Sequence, residues 1–268
     1  MTANSTNYNT WRLLKSDPLD GPENMAIDEA ILERKKGGHS LSTLRLYSWR
    51  RPYCSYGYGQ KLDPALRAFC EQQQIGLVRR PTGGGFVMHV REITFSVIFS
   101  RRDLQRSRAL VEYYRIVSEC LQQALIRLGL TVCLEEKVAT AKGPASFCFS
   151  QPTKYDLMVQ NRKICGSAQR RYRDTILQQG SLILDYQPLP GFWDQAGGVR
   201  QFAGRPIDNA EISQAIEQSF AERLGLRFVE TGLTPEEKIL AEKLVAEKYG
   251  QESWNFPELF EVINDQRN

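Results

Sequence analysis

The chain has 268 residues, 41% hydrophobic and 25% charged, with a formal net charge of +4. That profile suits one elaborated globular domain, residues 1–268, with a core large enough to need no disulfide or metal staples. No stretch reaches the roughly 18 apolar residues of a membrane span. The N-terminal MTANSTNYNTW lacks a charged-then-apolar secretory pattern, so a soluble, cytoplasmic protein without a membrane partner is expected.

Taken in chain order, DGPENMAIDEAILERKK carries the N-cap candidates Asp20 and Asn24, then Met25, Ile27, Ala30 and Ile31. It predicts a helix ending at Gly37-Gly38. TLRLYSW, with Leu44 and Leu46 alternating with polar partners, predicts a strand. IGLVRRPTGGGFVMH reads as strand, glycine turn and second strand. EITFSVIFS alternates Ile93, Phe95, Val97 and Phe99 and predicts a half-buried strand. Val117, Cys120, Leu121, Ala124, Leu125 and Leu128 recur at helical spacing, so a long helix is expected over 107–128. LTVCLE is a short strand, and residues 137–147 are expected to form a mobile loop. KYDLMVQNRKICGSAQRR reads as a hairpin turning at Asn161-Arg162, followed by a strand in ILQQGSLILD. From about 209 the pattern becomes helical: Ile212, Ala215, Ile216 and Phe220 share one face, and a second helix covers 234–249. The expected class is α+β, a mostly antiparallel or mixed sheet flanked by helices. No heptad or exposed helix stripe argues for an oligomer, so a monomer is expected.

The six cysteines form no Cys-X-X-Cys pair, and His39 and His89 have no ligand spacing. No metal site and no disulfide framework is expected. Cys148 stands between Phe147 and Phe149 at the end of the loop. It is either a small core side chain or a nucleophile, and the second role needs a cation nearby to favour the thiolate. Lys163 is the candidate cation; a strand-start lysine is ordinarily solvated, but Gly166, Ser167 and Ala168 follow it and let a ligand pack closely. Gly83, Gly84 and Gly85 form either a turn needing positive φ or the wall of a ligand site. They match neither a P-loop nor a dinucleotide fingerprint. His89 faces either a pocket or the core. Arginines cluster at 50–51, 79–80, 101–102 and 170–173, as solvated charge or as a face for an acidic protein, a phosphate or nucleic acid.

Together, NMAIDEAIL (24–32), RRPTGGGFVMH (79–89), KICGSAQ (163–169) and KYGQESWNF (248–256) resemble motifs of the lipoate/biotin protein ligase superfamily. CFSQPTKYDL (148–157) is similar to the pattern of its cysteine-dependent octanoyltransferases. Val90 departs from the aspartate common at that position. The helical part from about 209 is expected to leave little room for a ligase accessory domain.

The resemblance implies a biotin/lipoate-ligase-like catalytic domain. It implies an acyltransferase that moves octanoate from octanoyl-acyl carrier protein, through a Cys148 thioester, to a lysine of a lipoyl-domain protein such as glycine cleavage H protein. Lys163 would act beside Cys148. Arg79, Gly83, Gly84, Gly85, His89, Gly166, Ser167 and Ala168 would bind substrate, without a cofactor. Three other readings stay open. One is a lipoate-protein ligase using ATP and Mg²⁺, and another an amidotransferase between lipoyl domains. The third is a non-enzymatic carrier-protein or RNA-binding module, which the absence of an aromatic-basic motif disfavours, so no nucleic acid partner is expected.

Overall fold

A computed structural model describes residues 10–104, 110–136, 149, 152–188 and 196–258. Cys148 and the loop expected over 137–147 lie outside the described residues. The elements are β1 (Thr10–Lys15), α1 (Gly21–Lys36), β2 (Thr43–Tyr47), β3 (Tyr53–Tyr56), α2 (Pro64–Gln72), β4 (Gly76–Arg79), β5 (Val87–His89) and β6 (Glu92–Ser100). Then follow α3 (Leu110–Arg127), β7 (Cys133–Leu134), β8 (Leu157–Val159), β9 (Arg162–Tyr172), β10 (Thr175–Ile183), α4 (Val199–Phe202) and α5 (Asn209–Leu224). The last are β11 (Arg227–Glu230), α6 (Pro235–Leu244), a π-helical turn (Val245–Tyr249) and α7 (Glu252–Asn255).

Eight strands form a mixed sheet in the order β11-β1-β2-β6-β10-β9-β8-β7. The β11–β1 and β1–β2 pairs are parallel, and the others antiparallel. Strands β4-β3-β5 make a second, smaller sheet, so the strands flanking the glycine run do not pair with each other but sit either side of β3. This is the α+β class the alternation predicts. Two expectations are corrected. β6 is buried on both faces, not one: Ile93, Phe95, Val97 and Phe99 pack with α3 and α5, while Ile98 packs with α1. The C-terminal part is not wholly helical either, because β11 returns to the sheet edge beside β1. That strand, not β10, is the last.

Local chemistry accounts for the element ends. Pro22 stands in the first turn of α1, and the Asp20 N–H donates to Glu23 Oε2 at 3.0 Å, one half of a capping box. The β8–β9 turn falls at Gln160-Asn161, one residue earlier than expected. Both have positive φ, 47° and 62°, as a two-residue turn of type I′ requires. α5 ends at Gly225 with φ 63°, a left-handed cap.

Helix α1 is not held to the sheet by apolar contact alone. The Asp28 carboxylate, fully buried, accepts from Arg45 Nη1 (2.8 Å) and Ser96 Oγ (2.8 Å) on Oδ1, and from Tyr47 OH (3.0 Å) and Gln179 Nε2 (2.7 Å) on Oδ2. Arg45, also fully buried, donates further to the Asn24 side chain and backbone and to Ser16 Oγ. Burial and the Asp28 charge together push the Tyr47 phenol well above its ordinary range. Replacing Arg45 with Met leaves the Asp28 charge buried without its cation. Urea unfolding is expected to show a loss of about 3–5 kcal/mol.

Candidate active site

Lys163 stands near the start of β9, where the alternation of the strand is broken. It pairs with Met158 and Cys165 pairs with Leu157, so Ile164 is an extra residue, a bulge. The bulge resets which face each side chain takes, and Lys163 comes to share a face with Gly166. A Cβ at Gly166 would lie 2.6 Å from Lys163 Cε and 2.8 Å from its Nζ. The glycine is therefore the space into which the lysine folds. Lys163 is fully buried rather than solvated, its Nζ 2.7 Å from Asp156 Oδ2 and 4.9 Å from the centre of the Phe149 ring. Asp156 Oδ2 also accepts from the Thr153 N–H (2.6 Å) and Oγ1 (2.9 Å). Its Oδ1, buried and without a hydrogen-bond partner among the described residues, lies 3.5 Å from the Gly166 Cβ position.

Beside Gly166 a narrow pocket of about 30 Å³ opens between the two sheets. Gly166, Ser167, Ala168 and His89 line it, together with Met25, Trp49, Ser55 and Arg80. Asp156, Arg80 and Ser55 are the site residues that pattern reading passed over.

His89 is both buried and pocket-lining, so the two alternatives posed for it are not exclusive. Its Nδ1 is 2.5 Å from Glu92 Oε1 and its Nε2 2.7 Å from Ser55 Oγ. A carboxylate only accepts, so Nδ1 donates to Glu92, and Nε2 meets the Ser55 hydroxyl. The Trp49 ring stacks on the imidazole at 4.0 Å. Glu92 takes further hydrogen bonds from Trp49, Thr94 and Ser181.

Ser55 passes this order on to the glycine run. Arg80 Nη1 donates to the Ser55 carbonyl at 3.1 Å, and its Nη2 donates to the carbonyls of Gly83 (2.6 Å) and Gly85 (2.7 Å). Among the three glycines only Gly84 has positive φ, 90°. A Cβ there would reach 3.0 Å from Arg80 and 3.7 Å from the Ala168 Cβ, so the run crosses over the small-residue strand. Arg79 turns away from the pocket. Its Nε and Nη2 donate to the Tyr58 carbonyl and its Nη1 to that of Trp254, and Asn255 Oδ1 accepts its N–H. Arg80, not Arg79, is the arginine that lines the pocket. Cys165 is core packing, as are Cys54, Cys70 and Cys120, while Cys133 is exposed. Among the described residues no group of three or more His, Cys, Asp or Glu side chains is placed to hold a metal. No described helix is long and apolar enough to cross a membrane.

Residues 20–221 match the family model of the lipoyl protein ligase A/B catalytic domain. The chain is 36% identical to an octanoyltransferase LipM of Kyrpidia tusciae over 92% of its own length and 98% of the relative's. It is also 34% identical to the octanoyltransferase LipM of Carboxydothermus hydrogenoformans, over 92% and 98%. Among solved structures, a T. acidophilum protein designated a lipoate protein ligase, with lipoic acid bound, superposes with a TM-score of 0.79 at 26% identity. That match covers 92% of this chain and 99% of the other.

Burial pushes the Asp156 carboxyl above its ordinary value of 3.8, against the pull of Lys163 and Thr153. The folded protein therefore holds this proton to higher pH than the unfolded chain. The stability the group contributes is complete below 3.8 and lost as pH rises through the raised value. Urea unfolding at stepped pH is expected to show wild-type stability falling across that window relative to Asp156→Asn.

Proposed function

The chain belongs to the lipoyl protein ligase A/B catalytic domain family, and we propose that its reaction passes through an octanoyl thioester on Cys148. It is an acyltransferase that moves octanoyl groups to lipoyl-accepting proteins. The same proposal reads residues 1–268 as one catalytic domain, with octanoyl-acyl carrier protein as donor. The acceptor is a lysine of a lipoyl domain, such as that of glycine cleavage H protein.

The observation that carries the mechanism is the Lys163 ammonium, buried, held by Asp156 and seated over Phe149. Phe149 is the residue directly after Cys148 in the sequence. A cation fixed near a thiol favours the thiolate. In the first step the Cys148 sulfur attacks the donor's carbonyl carbon, the bond to the carrier sulfur breaks, and the carrier leaves as a thiol after taking a proton. In the second, the acceptor's uncharged amine attacks the new thioester, loses its proton, and releases Cys148. One thioester becomes another of similar free energy, so the first step needs no ATP.

Lys163 stabilises the negative charge that develops on the carbonyl oxygen. Asp156 is a positioning residue, because it touches the lysine rather than the substrate. The acyl chain is assigned to the narrow cleft beside Gly166 and Ala168, with the glycine run crossing above. His89, Ser55 and Arg80 set the position of that run.

Incubation with octanoyl-acyl carrier protein in the absence of ATP is expected to give an octanoyl adduct by mass spectrometry, lost in Cys148→Ser. Lys163→Ala is expected to slow acyl transfer about 10²–10³-fold while the adduct site stays the same. ATP-dependent modification of the acceptor that survives Cys148→Ser would instead establish the ligase chemistry.

A further inference from the structure

The four arginine clusters of the sequence do not behave alike once folded. Arg50 and Arg51 are neutralised by Asp20 and Glu23, at 3.0–3.7 Å, and Arg102 faces Asp174 at 3.9 Å. Arg79 and Arg170 have no ion pair among the described residues. Both stand in an alternating stack of rings and cations, in the order Trp254, Arg79, Tyr58, Arg170, Tyr172, with successive cation-to-ring distances of 4.9, 4.6, 4.8 and 4.9 Å. Lysines close the two ends, Lys248 over Trp254 and Lys36 over Tyr172. Those end charges are cancelled by Glu29 and Glu33. The uncompensated charge is concentrated in the middle.

The two central arginines differ in what they have left to offer. Arg79 spends three guanidinium nitrogens on the Tyr58 and Trp254 carbonyls, so it ties the C-terminal segment down. Arg170 gives one hydrogen bond, Nη1 to the Pro81 carbonyl at 3.0 Å, out of a guanidinium with five N–H donors. It follows Ala168 by two residues on β9, ~7 Å further along the same face. Pro81 in turn leads into the glycine run. Arg170 is half-buried beside the pocket-lining strand, its guanidinium 4.8 Å from the centre of the exposed Tyr58 ring (45% accessible). A planar, pre-oriented guanidinium is suited to bidentate recognition of phosphate or carboxylate.

We infer that the Arg170–Tyr58 step is the docking point for the acyl donor, an acidic protein that presents its thioester on a phosphate-anchored arm. This rests on the acyl-transfer reading above. Such a donor combines the two anion types that Arg170 can take, whereas the acceptor offers a lysine, which a cationic rim does not attract. A nucleic acid would need a row of exposed rings for its bases. Of the three rings in the stack, Tyr58 is the exposed one, with Trp254 and Tyr172 half-buried.

The test compares two octanoyl donors, octanoyl-acyl carrier protein and the neutral thioester octanoyl-N-acetylcysteamine, on wild type, Arg170→Glu and Arg170→Gln. With the carrier donor, KM is expected to rise about tenfold or more in Arg170→Glu and less in Arg170→Gln, the scale of one charge-assisted hydrogen bond. The kcat is expected to stay within about twofold, since the acylation machinery is untouched. With the neutral donor, neither variant is expected to differ from wild type. The wild-type carrier KM is expected to rise with salt, and that of Arg170→Glu to respond less. Equal losses with both donors, or a rise in KM confined to the lipoyl-domain acceptor, would overturn the inference. Binding of the carrier protein is measured alongside by fluorescence anisotropy. Weaker binding to Arg170→Glu upholds the surface even if wild type forms no adduct, a result that would count against the acyl-enzyme alone. Unchanged binding overturns the docking point.

Discussion

The carboxylate of Asp28 is the constraint on which the rest of the molecule is assembled. It is buried between α1 and the sheet and collects donors from three strands, β2, β6 and β10. An apolar interface would let the helix slide or rotate by small amounts at little cost. Directional bonds to a buried charge allow one position only, because any displacement leaves desolvated donors unpaired. Gln179, which donates to Asp28, also accepts from Thr82 at 2.8 Å. The same carboxylate thus reaches, through one side chain, the residue that precedes the glycine run. Met25, one turn before Asp28, is carried to the pocket wall by the same fixed helix.

Buried charge recurs wherever geometry matters. Arg12 meets Glu237 in a two-point pair at 2.6 and 2.8 Å, docking α6 against β1. Glu29 holds Lys248 at 2.7 Å and accepts from Tyr249, docking the π-helical turn on α1. Glu92 orders the imidazole of His89, and Asp156 orders Lys163. Each pair gives up hydration for a net gain that is small or negative, and apolar residues of similar size would stabilise the fold at least as well. What the pairs supply is position. At Lys163 the consequence is chemical: an ammonium taken out of water and aimed by one carboxylate oxygen acts on a developing negative charge with little solvent to screen it.

Much of this architecture was legible in the chain. Period-3.6 apolar spacing located α3 and α5, N-cap candidates and a glycine pair bounded α1, and alternation located β2 and β6, because those patterns follow from local geometry. β1 was not legible: four of its six residues are buried in a row, WRLL, and a continuous run does not distinguish strand from helix. β11 was missed because it is mostly exposed and four residues long. α2 was announced by Asp63-Pro64, an N-cap with proline in the first turn, and went unread.

At the site, the sequence by itself determined the residue types and their order: a cysteine, then an acid, a lysine, and three small residues, with a glycine run and a histidine upstream. Tertiary structure decided what those residues are to one another. A single inserted residue on β9 turned Lys163 toward Gly166, and strand registry brought Asp156 under it, neither of which has a local signature. Which of two adjacent arginines lines the pocket was settled by strand alternation against the partner sheet. Whether an arginine cluster is neutralised depended on carboxylates distant in the chain. Charge type is a property of the residue, whereas burial, pairing and direction belong to the packed neighbours, and those exist only once the sheets have closed on one another.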